Sequence, residues 1–422
     1  MRDDEIWKVE SFRLLIDVSL SPSFMIFLAR FSLPTRILVS SCHPVARSIM
    51  TSSASSSSSK QVFHSPNLPL HFQKDKVDLT LIQLGQTSFD KSKNLEHASN
   101  TISDAVKPTP KDQENTQMVV LPECWNSPYG VQYFDRYAED FGGMWAKIKS
   151  KVGSERIEAL GTFDSEEETE VANQQQQSFV KRWTIDGRES AKVKIDDSCP
   201  SETIQMMSSI AKKLGIVLVG GSIPERDSTS GKLYNTATVF DEQGHLISMH
   251  RKLHLFDIDI PGGMTFQESK TLTAGDRVTV FECSLGRFGL GICYDLRFPE
   301  PATIACRLGA GVMLYPGAFN TTTGPRSWEL LLRGRATDNQ LYSIGCSPAR
   351  PSKEEIEGPN KAYPTYGFTL LADPWGQVKE SLDEKEGILR VQLKKDEIVT
   401  ARSNVPISRQ RRFDVYPDVA LG

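Results

Sequence analysis

Cysteine and histidine are both scarce here, seven of each in 422 residues, and their spacing excludes more than it offers. No two cysteines form a C-x-x-C pair. The odd number scattered from Cys42 to Cys346 suits free thiols in a reducing compartment, not a disulfide framework. Only His250 and His254 have a ligand-like spacing, but Arg251 and Lys252 lie between them and no glutamate does, so no metal site is expected. Long apolar runs are missing too. The stretch Phe12–Phe31 is broken by Arg13, Asp17, Pro22 and Arg30, whereas a membrane-spanning helix needs about 20 largely uncharged apolar residues. Charge of one sign is not in excess: 49 Lys and Arg against 53 Asp and Glu leave a net charge of −4. No global field would draw such a chain to nucleic acid or to an anionic membrane. What is present, 39% apolar and 24% charged residues, suits a soluble globular protein with a large core.

Acidic residues are absent from Arg30 to Lys60, which instead carries Arg30, Arg36, Arg47 and the serine-rich run Ser52–Ser59. Such composition is that of an organelle transit peptide, plastid before mitochondrial, the alternative being an untargeted disordered tail on a cytoplasmic protein. Asp3, Asp4 and Glu5 do not fit it, and an internal methionine such as Met25 or Met50 is a candidate functional start. Residues 1–74 are therefore read as an N-terminal extension and 75–420 as one folded domain. Val77–Leu84 alternates as a strand, 91–107 as an amphipathic helix, and Met118–Leu121 as a short strand ending at Pro122-Glu123. A helix over 201–214 precedes the apolar run Ile216–Val219, closed by Gly220-Gly221. Strands follow at 234–240, 246–249, 288–293 and 311–315, with a helix at 299–308. This alternation predicts an α/β fold built on packed sheets. Residues 141–197 break the pattern with Glu166–Glu170 and Gln174–Gln177, and are expected to form a polar, solvated insertion that the core tolerates.

Three segments place reactive side chains at strand ends: Leu121-Pro-Glu-Cys-Trp-Asn-Ser-Pro-Tyr-Gly130, His250-Arg-Lys-Leu-His-Leu-Phe256 and Gly289-Leu-Gly-Ile-Cys-Tyr-Asp-Leu-Arg-Phe-Pro-Glu300. Taken singly each has a bland reading. A cysteine ending an apolar strand is usually a small core residue, a glutamate after proline a surface carboxylate, and a lysine in a basic tripeptide a solvated charge.

Taken together and in this order, the segments resemble the carbon–nitrogen hydrolase (nitrilase) superfamily from about Val77 to Tyr416. They are most similar to its omega-amidase branch. Glu123–Gly130, Leu253–Pro261 and Thr265–Lys270 carry the closer match, and Tyr315–Gly324, Trp328–Leu331 and Arg409–Arg412 extend it. The resemblance implies a four-layer αββα sandwich, a homodimer, no cofactor, and a catalytic set of Glu123, Lys252 and Cys293. In that chemistry Glu123 takes the thiol proton of Cys293, since only the thiolate attacks well. Lys252 and the backbone N–H of Tyr294 would hold the oxyanion. Glu268 would orient Lys252 or the hydrolytic water.

For substrate contacts the resemblance offers Tyr129, Tyr294 and Phe319, although Tyr129 could equally be packing. Arg297 is read as a structural ion-pair residue, with a substrate clamp as the alternative, and Cys124 and Cys283 as bystanders. The implied substrate is a small ω-amide of a 2-oxo dicarboxylic acid. The alternatives are deaminated glutathione, a carbamoyl amine, a nitrile, or a degenerate scaffold that only binds partners. Two features depart from the family: the insertion, and Tyr366-Gly-Phe-Thr369 where the branch has Trp-Gly-His-Ser.

Overall fold

A computed structural model describes residues 68–85, 87–106, 116–151, 184–186, 192–259, 261, 265–359, 361–412 and 415–416. The N-terminal extension, apart from its last seven residues, lies outside the described residues, as do Glu166–Glu170 and the Gln174–Gln177 tract.

Along the chain run β1 (Lys76–Gln83), α1 (Lys91–Ala105), β2 (Met118–Val120), α2 (Val131–Tyr137), β3 (Glu139–Asp140), α3 (Met144–Lys151) and β4 (Thr184–Asp186). Next come α4 (Glu202–Leu214), β5 (Val217–Arg226), β6 (Leu233–Phe240), β7 (Leu246–Arg251), β8 (Asp257–Asp259), β9 (Thr265–Gln267), β10 (Thr279–Cys283) and β11 (Gly286–Leu290). The remainder is α5 (Pro299–Arg307), β12 (Val312–Pro316), α6 (Gly324–Asn339), β13 (Tyr342–Cys346), α7 (Lys353–Glu357), β14 (Leu370–Ala372), β15 (Val378–Ser381), β16 (Gly387–Lys394), α8 (Lys395–Asn404) and α9 (Ile407–Gln410).

One sheet has the order β16-β1-β2-β5-β6-β7, with β3 also paired to β5; the other has the order β15-β14-β13-β12-β11-β10-β4. Strand residues alternate between faces, so each sheet offers two apolar surfaces when both are covered. Leu79, Leu81, Val120, Val217 and Val239 of the first sheet share a buried cluster with Leu290, Val312, Leu314 and Ile344 of the second. On the outer face of the first sheet, Ile82, Val119, Leu218 and Phe240 meet Leu95 and Ile102 of α1 and Ile204 and Met207 of α4. Ala302 and Ala305 of α5 and Trp328 and Leu332 of α6 cover the outer face of the second. The layers are helices, sheet, sheet, helices, as expected.

Local chemistry explains where these elements stop. Ser201 accepts the Ile204 N–H at the start of α4, and Gly215 ends that helix in the left-handed conformation at φ 64°. A serine cap of this kind contributes about 1 kcal/mol. Gly220-Gly221 differs from its expected role. It does not close the strand: β5 runs through it as a bulge, the register with β6 shifting between Val219 and Ser222. Gly221 sits at φ 61°, and a Cβ there would lie 2.1 Å from the Pro122 carbonyl oxygen. Only glycine allows that approach.

The expected insertion at 141–197 is corrected at both ends. Phe141, Met144 and Ile148, spaced as one helical face, are buried in the core beneath the first sheet. Trp145 has the Arg251 guanidinium 4.4 Å and the Arg277 guanidinium 4.7 Å from its ring centroid. β4 adds a parallel strand to β10. Buried Asp186 takes two bonds from Arg277, at 3.0 and 2.9 Å, and one from Ser248 at 2.7 Å. Val193 bridges Leu246. Four buried apolar residues, Phe141, Met144, Ile148 and Val193, and one buried carboxylate are too few to outweigh the polar tracts in a composition reading, so composition alone sets the boundaries too wide. A protein lacking 141–197 is expected not to fold, because losing Asp186 leaves Arg277 buried without its carboxylate, a loss of about 3–5 kcal/mol. One lacking only 152–183 is expected to keep a cooperative thermal transition. Circular dichroism melts of the two deletions check this.

Candidate active site

Glu123, Lys252 and Cys293 come from three strand ends that the fold brings together. Glu123 follows β2 and bridges Ser222, and the next N–H, that of Cys124, donates to the Ser222 carbonyl at 2.8 Å. The β5 bulge therefore sets the direction of the Glu123 loop. Lys252 directly follows β7, and its N–H donates to the Asn235 carbonyl at 2.9 Å. Cys293 opens a short 3-10 turn, Cys293–Arg297, with its backbone at φ 47°. A non-glycine residue in that region is strained, and such positions cluster at functional sites. The backbone packs so closely here that a Cβ on Gly317 would lie 3.1 Å from the Cys293 Cα.

The Lys252 ammonium, fully buried, lies 3.1 Å from Glu123 Oε1 and 3.0 Å from a Glu268 oxygen. Both carboxylates are fully satisfied on other sides. Asn235 Nδ2 donates to Glu123 Oε1 at 2.8 Å, and the Ala318 N–H to Oε2 at 2.7 Å. Tyr129 Oη donates to Glu268 Oε1 at 2.8 Å, and the Phe256 N–H to Oε2 at 2.8 Å. The buried Cys293 thiol sits within the electrostatic reach of Glu123, Lys252 and Glu268. Burial pushes the Glu123 carboxyl up, against the pull of Lys252, with Glu268 adding to the rise. Burial and the Glu123 charge also push the Cys293 thiol well above its ordinary value. Burial alone would lower Lys252, but the charges of Glu123 and Glu268 hold it well above the usual range, so it stays an ammonium. At rest the thiol keeps its proton, next to an unusually basic carboxylate and a fixed cation.

An open cavity of about 690 Å³ reaches this cluster, lined by Glu123, Cys124, Tyr129, Ala318, Tyr363 and Thr365 among others. Tyr129 lines the cavity and packs there, its ring 4.5 Å from that of Tyr363, and its hydroxyl holds Glu268, a contact the sequence reading does not anticipate. Cys124, expected as a bystander, lies on the cavity wall. Tyr294 is half-buried, its ring 5.2 Å from Phe256. Phe319 is buried against Trp328, 5.0 Å between centroids. Arg297 is corrected: among the described residues it forms no ion pair, and its guanidinium lies 5.6 Å from the Tyr294 centroid and 5.2 Å from that of Phe319. Its one hydrogen bond there is a long one to Ser327 Oγ, 3.5 Å. The departure at Tyr366-Gly-Phe-Thr369 is absorbed by a stack of Tyr366 on Phe368, 4.5 Å apart, beside Arg350. It leaves the cluster untouched. Asn235, the Ala318 N–H and Tyr363 are absent from the residues picked out by sequence. An asparagine inside an otherwise apolar and β-branched strand was a usable signal for the first; the other two carry none.

A profile of the carbon-nitrogen hydrolase family matches residues 78–403. Omega-amidase NIT3 of Saccharomyces cerevisiae is 40% identical over 344 residues, 82% of this chain and 96% of that protein. The protein named "Omega-amidase, chloroplastic" of Arabidopsis thaliana is 38% identical over 402 residues, 94% and 90% of the two chains. The crystal structure of S. cerevisiae Nit3 superposes with a TM-score of 0.59 at 37% identity, covering 81% of this chain and 98% of that one. With a profile over most of its length, relatives of this similarity and a shared fold, the chain belongs to the carbon–nitrogen hydrolase family and hydrolyses amide bonds.

Proposed function

We propose that this protein is an omega-amidase, converting small ω-amides of 2-oxo dicarboxylic acids, such as 2-oxoglutaramate and 2-oxosuccinamate, to the dicarboxylate and ammonia. The observation that carries the reading is the buried Glu123–Lys252–Cys293 cluster in a chain about 40% identical to a named omega-amidase. Glu123 accepts the thiol proton as sulfur bonds to the amide carbon. The oxygen becomes an oxyanion facing the Lys252 ammonium and the Tyr294 N–H. Glu123 returns the proton to nitrogen, the carbon–nitrogen bond breaks, ammonia leaves and a thioester remains. Glu123 then takes a proton from water, whose oxygen attacks the thioester, and the proton goes back to sulfur as the acid departs. Glu268 holds Lys252 in line, and Tyr129 holds Glu268.

Arg297 is the cation we assign to the substrate carboxylate, since its side chain has aromatic neighbours and no acidic partner among the described residues. Tyr294 and Phe319 would then form the apolar walls between nucleophile and carboxylate. On this reading, 2-oxoglutaramate is hydrolysed roughly tenfold or more better in kcat/KM than a neutral amide of equal length or the matching nitrile. Arg297→Ala narrows that gap chiefly by raising KM for the anionic amide. A steady-state comparison of the three substrates checks both statements; a win for the nitrile or the neutral amide removes the branch assignment.

The chain also pairs as a homodimer on this reading, and residues 1 to about 60 direct it to a plastid. Sedimentation velocity tests the first. A reporter fused to that segment tests the second, a diffuse cytosolic signal counting against it.

A further inference from the structure

Asp295 stands two residues after Cys293 and takes no part in the steps above. Its side chain is fully buried, and its two oxygens gather donors from both catalytic segments. Oδ2 accepts the Ile292 N–H at 2.9 Å and lies 2.9 Å from His250 Nε2. Oδ1 accepts the His254 N–H at 2.9 Å and lies 2.8 Å from His254 Nδ1. His250 and His254 flank Lys252 by two residues on either side, and Ile292 immediately precedes the nucleophile. The far sides of the rings are fixed as well. His250 Nδ1 lies 2.9 Å from Thr279 Oγ1 on β10, and the His254 ring stacks on Phe298 at 3.6 Å.

The need for such a residue follows from topology. Lys252 extends β7 of the first sheet and Cys293 extends β11 of the second, and no backbone ladder joins these strands. Side-chain packing between sheets tolerates slips of a few tenths of an ångström. Attack at carbon with simultaneous stabilisation of the oxyanion does not, a misplacement of about 1 Å costing about 10²-fold in rate.

We propose that Asp295 is the positioning residue that locks the Lys252 segment and the Cys293 turn into one frame across the sheet interface. The carboxylate accepts bonds from each side at once, so neither strand end can shift without breaking a buried, charge-assisted hydrogen bond. The bond to the Ile292 N–H also restrains the chain where Cys293 takes up its left-handed backbone. Burial would raise the Asp295 carboxyl, but the hydrogen bonds from His250, His254 and Ile292 together hold it below the usual carboxylate range, so it remains an acceptor. The proposal rests on the Cys293–Lys252 chemistry given above.

The test is Asp295→Asn, which keeps the shape but turns one acceptor atom into a donor facing donors. A folded variant is expected to lose about 10²-fold in kcat on 2-oxoglutaramate while KM stays within about threefold, because the substrate contacts are intact. Iodoacetamide should label its Cys293 more slowly. If kcat stays within about threefold of wild type, or if the loss lies in KM alone, the positioning role is overturned. Should this variant not fold, His254→Phe reads the same link, since phenylalanine can keep the stack on Phe298 and the backbone N–H bond to Oδ1 but removes the side-chain bond to Asp295. The proposal requires about a tenfold fall in its kcat with KM retained, and an unchanged kcat refutes it. Cys293→Ala assayed alongside separates the two ideas. An active Cys293→Ala would remove the thiol mechanism itself, whereas a silent Asp295→Asn in an enzyme that needs Cys293 removes only the positioning.

Discussion

Replacing Cys293 by alanine is expected to reduce hydrolysis of 2-oxoglutaramate to background, a loss of at least about 10⁴-fold. The thioester cannot form without the sulfur, and no neighbouring group stands in the same relation to Glu123. Cys283→Ala is the control expected to retain most of the activity. That thiol is pushed up to about 12 by burial, donates to the Gly286 carbonyl and has no place in the cluster. Iodoacetamide should label Cys293 first, slowed by saturating substrate, because Glu123 can relieve only that thiol of its proton. Mass spectrometry of the alkylated protein gives the order of labelling. Full activity in Cys293→Ala would end the mechanism.

Lys252→Met is expected to lose about 10³-fold in kcat and, unlike Cys293→Ala, to destabilise the fold. The ammonium is buried 3.1 and 3.0 Å from the carboxylates of Glu123 and Glu268, and methionine leaves both charges without their cation. Breaking a buried pair from one side costs about 3–5 kcal/mol. Glu123 already titrates above its ordinary range because burial outweighs Lys252, and removing the cation raises it further. The sign of the pH dependence follows. A carboxyl whose folded value lies above its unfolded one favours the fold below the unfolded value and loses that contribution as pH rises through the folded one. The variant should therefore lie closest to wild type in thermal stability at low pH and fall furthest below it near neutrality. Melts of both proteins across that range test it; a parallel pair of curves would mean the charges are not buried together. In the wild type the same raised carboxyl must be ionised to take the thiol proton. Activity should accordingly fall, on acidification, at a pH above the ordinary glutamate range.

Much of the architecture was legible from periodicity. The strands at 76–83, 233–240 and 246–251 and the helices at 91–105 and 202–214 match the expected spans within a few residues, because apolar residues there repeat with periods the backbone imposes. Period says which face is buried and not what buries it. The bulge at Gly220-Gly221 shows the difference: two glycines after an apolar run read as a stop, and only the approach of the Pro122 carbonyl reveals why the chain continues. Segment 141–197 reads differently for the related reason that its few core residues, Phe141, Met144, Ile148, Asp186 and Val193, gain meaning only from distant partners such as Arg277 and Leu246.

By itself, the sequence determined the reactive types and their order: a glutamate, a lysine and a cysteine in three motifs whose resemblance to the carbon–nitrogen hydrolase family implies amide hydrolysis. Those properties are covalent and local, so no fold is needed to see them. Tertiary structure decided which groups surround them. Asn235 and the Ala318 N–H on Glu123, Tyr129 on Glu268, Arg297 over Phe319, and Asp295 across the two sheets are contacts between residues from different elements of the chain. They exist because two sheets that no backbone ladder joins stack face to face, and that packing is a property of the folded chain alone.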